Sequence, residues 1–281
     1  PKEVGGLGFV GMITAHSLTK RYGARTAVDS LTFEVPPGVA TGFLGPNGSG
    51  KSTTMRMIMG LDAPDSGSAL IGGRPYADLA WPLREVGGLL EAKAFHPART
   101  ARNHLRWLAM TNDIPLRRVD DVLDQVGLSS VAGRRAGKFS LGMGQRLGIA
   151  ATLLGDPGVL LFDEPVNGLD PEGIRWVRHF LRDLAAEGRT VLVSSHLISE
   201  MALTADRLIV IGRGRLIAET SVADFVSRSG SSAVRLVTPD VARFSATLTA
   251  AGATVGDGDS GSVTVEGLTS GMQAYDAWIA A

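Results

Sequence analysis

Residues 45–53 read Gly-Pro-Asn-Gly-Ser-Gly-Lys-Ser-Thr, directly after the apolar run Thr41 to Leu44 and directly before a helical pattern. Glycines at Gly45, Gly48 and Gly50, with Asn47 and Ser49 between them, let successive backbone N–H groups turn inward as a cradle for phosphate oxygens. The helix that follows adds the positive end of its dipole at the same place. Lys51 supplies a mobile charge for β- and γ-phosphates, Ser52 offers a hydroxyl to Mg²⁺, and Thr53 completes the motif.

A second segment, Gly158 to Glu164, reads Gly-Val-Leu-Leu-Phe-Asp-Glu, an apolar strand that delivers two adjacent carboxylates at its carboxyl end. Asp163 is placed to hold the water shell of Mg²⁺, and Glu164 to orient and deprotonate an attacking water. His196 ends another apolar strand, Thr190 to Ser194, and an imidazole beside Glu164 can hydrogen-bond a γ-phosphate. The remaining four of the five histidines lack such a setting. These residues together predict a nucleotide hydrolase.

The elements that must position them follow from the pattern. Short β-rich runs alternate with helical ones: Ala40 to Leu44, Thr53 to Met59, Gly158 to Phe162, Arg175 to Ala186, Thr190 to Ser194. That order predicts an α/β sheet of parallel strands. Ile13 to Thr19, Ala27 to Val35 and Ser68 to Ile71 read as strands joined by tight turns, an antiparallel β edge. Residues 98–154 are almost wholly helical in spacing and read as an inserted helical subdomain. From residue 221 the composition turns to Ser, Gly, Ala and Thr, with 3 basic and 6 acidic side chains over 221–281. Strands at Ala233 to Val237 and Ser262 to Glu266, with helices at Val241 to Ala251 and from Gly271, predict a small C-terminal α/β appendage. Residues 1–11 read as an upstream extension.

Composition sets outer limits. Basic and acidic residues number 28 each, so no field of one sign is available to hold nucleic acid. No cysteine is present, which excludes thiolate metal sites and a cysteine nucleophile. No apolar run reaches the 18 residues or so of a membrane span.

From about Met12 to residue 220 the chain resembles the ATP-binding subunit of ABC transporters. The resemblance rests on the two segments above and on several further residues in the correct order. Phe139 to Arg146, Phe-Ser-Leu-Gly-Met-Gly-Gln-Arg, is similar to the family signature, with Ser140 and Gly142 where the family reaches the γ-phosphate of an opposite subunit. Asn167 to Asp170 resembles the D-loop, His196 the switch histidine, and Tyr22 the aromatic that stacks on adenine. Glu91 stands at the Q-loop, as in the branch exporting drugs, bacitracin-like compounds and lantibiotics, and its carboxylate suits Mg²⁺. Leu141 and Met143 depart from the common Ser-Gly-Gly-Gln.

The resemblance implies a P-loop NTPase (RecA-like) core, ATP and Mg²⁺ as cofactors, and a homodimer or a heterodimer with a second ATPase subunit. It also implies integral membrane permease subunits as partners, and a peripheral position on the cytoplasmic face of the membrane. Residues 94–102 read as the surface that docks the membrane partner. An importer subunit, a soluble ABC ATPase and a weakly catalytic regulatory subunit remain the alternatives.

Overall fold

The computed structural model describes residues 11–91, 93–229, 234–237, 249, 254–257 and 262–266. Runs that are apolar at every position need cover on both faces, which parallel strands flanked by helices provide. The central sheet has six strands in the order β5-β6-β7-β3-β8-β9. These are β5 (Val86–Leu89), β6 (Val159–Phe162), β7 (Thr190–Ser195), β3 (Ala40–Leu44), β8 (Arg207–Gly212) and β9 (Arg215–Ser221). The first five run parallel and β9 closes the edge antiparallel to β8. All residues of β3, β6 and β7 are buried. Registers Leu44 to Ser195 and Phe162 to Val193 bring the carboxyl ends of these strands level with one another.

A second, antiparallel sheet in the order β2-β1-β4 joins β1 (Ile13–Tyr22), β2 (Arg25–Val35) and β4 (Ser66–Ile71). Its inward residues Ile13, Leu18 and Phe33 share one core with Phe43 of β3, Leu161 of β6, and Met55 and Ile58 of α1 (Lys51–Ile58). The Phe33 and Phe43 rings meet at 5.4 Å between centroids. Around the sheet stand α2 (Pro82–Glu85), α6 (Pro171–Ala186) and α7 (Ile198–Thr204), and the stretch from residue 101 to 153 carries α3 (Ala101–Thr111), α4 (Arg117–Gln125) and α5 (Leu141–Leu153).

The mixed architecture is the one expected, with differences of detail. The first strands run longer than read, and the helix after the phosphate-type loop starts at Lys51 rather than Thr53. Strand β5 escaped the sequence reading because Val-Gly-Gly-Leu has the composition of a turn. Its glycines serve close packing instead: a Cβ on Gly87 would lie 2.3 Å from the Thr152 carbonyl oxygen of α5.

The chain divides into two compact units between Val222 and Ala223. Helix α8 (Val222–Ser229) spans this point, and the second unit holds an antiparallel sheet of β10 (Val234–Val237), β12 (Ser262–Glu266) and β11 (Thr254–Asp257). The strand expected at residues 233–237 is there from Val234, and β11 was not anticipated. Of the helix expected at 241–251 only residue 249 is among the described residues, and the helix expected from 271 lies outside them, as do residues 1–10.

Candidate nucleotide site

The chain leaves β3 at Gly45 and re-enters regular structure as α1 at Lys51, so residues 45–50 must reverse direction within one turn. Two glycines make this possible. Gly48 and Gly50 have φ of 77° and 106°, a region costly for residues with a side chain, and a Cβ on Gly50 would sit 2.6 Å from the Ala27 carbonyl oxygen. From beneath, the Gly45 amide donates to the Ser195 carbonyl at 3.3 Å, and the Ser49 amide to the Pro46 carbonyl at 3.1 Å. Ser49 is buried, and its Oγ has no partner.

Lys51 is 5% exposed, and it bends over the loop that precedes it. Its Nζ donates to the Gly45 carbonyl at 2.7 Å and stands 3.4 Å from Glu164 Oε1. A buried ammonium requires such partners, because burial without them costs several kcal/mol. Above it lies a cleft of about 370 Å³ lined by Asn47, Gly48, Gly50, Lys51, Ser52 and Thr53, together with Tyr22, Arg25, Ala27, Glu164, Asn167 and His196. Gly45 and Ser49 shape the floor of the loop and do not line the cleft.

The carboxylates arrive at the end of β6. The Asp163 amide donates to the Leu89 carbonyl at 2.8 Å, and Ser194 Oγ on neighbouring β7 donates to Asp163 Oδ1. The same Oγ accepts the Glu164 N–H at 2.9 Å. Glu164 needs this anchor, since its backbone has a φ of 48°, rare for a residue with a side chain. The held backbone aims the carboxylate between two cations or donors: Oε2 is 2.9 Å from His196 Nδ1 and Oε1 faces Lys51. Three of the residues singled out from the sequence, Lys51, Glu164 and His196, thus form one chain of contacts.

Ser52 borders a second cavity as well, a groove of about 620 Å³ that also takes in Asp163 and Glu91. Its donors are one hydroxyl and two carboxylates, all hard oxygen ligands of the kind that Mg²⁺ takes together with several waters. Most of the remaining lining is apolar, with Met59, Phe95, Trp107 and Leu108 on the walls beside Arg56, His104 and Thr152.

Ser140, Gly142 and Asp170 stand apart from the cleft. Ser140 caps α5, its Oγ accepting the Met143 amide at 3.3 Å, and Asp170 caps α6, accepting the Gly173 amide at 2.8 Å. Leu141 packs over Gly168, where a Cβ would lie 2.6 Å from Leu141 Cδ2. Two residues of the site were missed in the sequence. Ser194 is a buried hydroxyl at the end of an apolar strand, a signal of a tertiary hydrogen bond. Arg25 opens β2 just after the β1–β2 turn, with its Nη2 3.4 Å from where a Cβ of Gly48 would stand.

A glycine-built loop between a parallel strand and a helix, faced by two adjacent carboxylates from the end of β6, two strands away in the same sheet, defines a P-loop nucleotide hydrolase. The family model of the ABC transporter matches residues 28–167. The chain is 42% identical over 211 residues to the bacitracin transport ATP-binding protein of Bacillus licheniformis, covering 74% of this chain and 69% of that one. It is 36% identical to a lantibiotic transport ATP-binding protein of Streptococcus pyogenes, covering 74% and 90% of the two chains. A solved ATP-binding subunit of an ABC transporter superposes with a TM-score of 0.69 at 28% identity, over 78% of this chain and 93% of the other. The chain belongs to the ATP-binding subunits of ABC transporters, and its activity is ATP hydrolysis coupled to transport.

Proposed function

We propose that the chain drives export of drugs, peptide antibiotics or lantibiotic-like compounds, as one of two ATPase subunits bound to integral membrane permease subunits on the cytoplasmic face of the membrane. The contact chain from Lys51 through Glu164 to His196 carries the chemical part of this reading. The export part is supported by Glu91 at the Q-loop and by the bacitracin and lantibiotic transport proteins among the relatives.

In this reading the backbone of residues 45–53 cradles the phosphates, and Lys51 turns from the Gly45 carbonyl to neutralise β- and γ-oxygens. Tyr22 offers its ring to adenine. Glu164 takes the proton of the attacking water, while His196 orients Glu164 and contacts the γ-phosphate. Ser52, Asp163 and Glu91 would hold Mg²⁺, which when bound neutralises charge building on the phosphate oxygens. Ser140 and Gly142 complete the site of the opposite subunit, and Asp170 shapes the adjoining D-loop. Residues 12–220 form the ATP-binding unit, with 221–281 as an appendage. The apolar groove beside Glu91, with the segment 94–102 at its rim, receives the membrane subunit. No helix among the described residues is long and apolar enough to cross a membrane.

The test is co-purification with the membrane subunit from native membranes, followed by ATPase and efflux measurements in vesicles. Stimulation of ATPase by bacitracin or a lantibiotic, with uptake into inside-out vesicles that Lys51→Ala abolishes, is the expected result. Stimulation only by an externally presented solute with a binding protein would make the subunit part of an importer.

A further inference from the structure

We propose that Asp62 is a positioning residue for the base-stacking ring of Tyr22, joining that ring to the helix that holds the phosphates; this rests on Tyr22 being the adenine platform. Tyr22 ends β1 and lines the cleft, yet half of its surface is open to solvent. A ring so placed samples several rotamers and presents no fixed face unless something holds its far end. Here the hydroxyl donates to Asp62 Oδ2 at 2.8 Å.

Asp62 is itself held. Arg56 Nε and Nη2 donate to its two carboxylate oxygens at 2.8 and 2.9 Å, a bidentate pairing that fixes the plane of the carboxylate. Arg56 lies in the last turn of α1, the helix whose first residues, Lys51, Ser52 and Thr53, line the same cleft. The segment after the helix is tied back to it, with the Leu61 amide donating to the Arg56 carbonyl at 2.9 Å. It also returns to β1: Lys20 Nζ donates to the Ala63 carbonyl at 2.6 Å while standing 5.5 Å from the centre of the Tyr22 ring. The ring is therefore fixed at its hydroxyl and carries a cation from its own strand.

Ionisation keeps the bond in one sense. Hydrogen bonds from Arg56 and then Tyr22 hold the Asp62 carboxyl down to about 2, and the bond to Asp62 pushes the Tyr22 phenol above its usual range. At neutral pH a phenol donates to a carboxylate. The distance between the phosphate end and the base end of the cleft is thus set by one chain of bonds, from α1 through Arg56 and Asp62 to Tyr22. A base that stacks on a ring already in place loses less conformational entropy, so the bond strengthens ATP and leaves its phosphates alone.

Two ligands separate this role from simple bracing of the fold: ATP, which has a base, and inorganic tripolyphosphate, which has none, each with Mg²⁺ and titrated calorimetrically into the full chain. Tyr22→Phe and Asp62→Ala should each weaken ATP about fivefold, the loss of one hydrogen bond. The double variant should be no weaker than the worse single one, and tripolyphosphate affinity should not move. Equal losses for both ligands would overturn the proposal, since Asp62 would then merely brace α1. Parental ATP affinity in Tyr22→Phe and Asp62→Ala would overturn it as well. Tyr22→Ala tells the two readings apart. If it weakens ATP while the other two variants do not, only the positioning role falls; if it leaves ATP untouched, the adenine platform itself is lost and this inference with it.

Discussion

Glu164 combines an unfavourable backbone with a well-held side chain. An L-residue in the left-handed region costs about 1–2 kcal/mol, and the Ser194 hydroxyl that accepts its amide offsets part of that. If the carboxylate takes the proton of water, Glu164→Gln should keep ATP binding and lose turnover by about 10² to 10⁴. Glutamine preserves the shape and removes the basicity, so an ATPase assay beside an ATP titration isolates the proton step, and near-parental turnover would take Glu164 out of the role.

His104 makes a different kind of statement at the same scale. It is 6% exposed on α3, its Nδ1 has no partner, and its ring packs edge-on against Phe95 at 6.2 Å. Burial, and after it the charge of Arg99, lowers its pKa from the usual 6.5. A depressed pKa means that the folded state binds this proton less readily than the unfolded chain. The stability it contributes is therefore complete above about pH 6.5 and declines as the pH falls toward the folded value. His104→Leu removes the titration, so the gap between the two melting temperatures should shift in favour of the variant between pH 7.5 and 5.5. Parallel curves would mean that the folded imidazole binds its proton as readily as the unfolded one, so that burial does not depress its pKa.

Among the elements, legibility followed burial on both faces. Strands β3, β6 and β7 are buried at every position, which a sequence shows as continuous apolar runs. Strand β5 does not show itself in this way, because what Gly87 and Gly88 contribute is the absence of a side chain. The two differ in what a methyl would meet. At Gly87 it meets the Thr152 backbone carbonyl at 2.3 Å, and at Gly88 the terminal methyl of Met59 at 2.7 Å. A carbonyl in a helix cannot yield as a flexible thioether can. Gly87→Ala should then cost about 1–3 kcal/mol by overpacking and lower the melting temperature distinctly more than Gly88→Ala, a ranking that calorimetry reads directly. The site divides in the same way. The phosphate loop and the Asp163–Glu164 pair are contiguous and could be read from spacing, whereas Ser194, Arg25 and Asp62 come to it through folding, from separate segments of the chain.

At the scale of the whole molecule, the decisive fact is that Ser140 and Gly142 do not line the cleft of their own chain. If they complete the cleft of a second subunit, hydrolysis requires two chains, and specific activity should rise with protein concentration. Complementation tests this more sharply. Ser140→Arg puts a bulky cation at the N-terminus of α5, where it would block the approach of that helix to a phosphate, while Glu164→Gln disables the general base of its own cleft. In a mixed dimer, the cleft of the Ser140→Arg chain keeps its Glu164 and receives an intact Ser140 from its partner, so one of the two composite sites is whole. Mixing the inactive variants should therefore restore part of the activity, up to about one site in each mixed dimer. Activity linear with concentration down to monomeric dilution, with no recovery on mixing, would mean that each chain hydrolyses ATP alone. The closing of two subunits around ATP could then not be the step that moves the membrane partner.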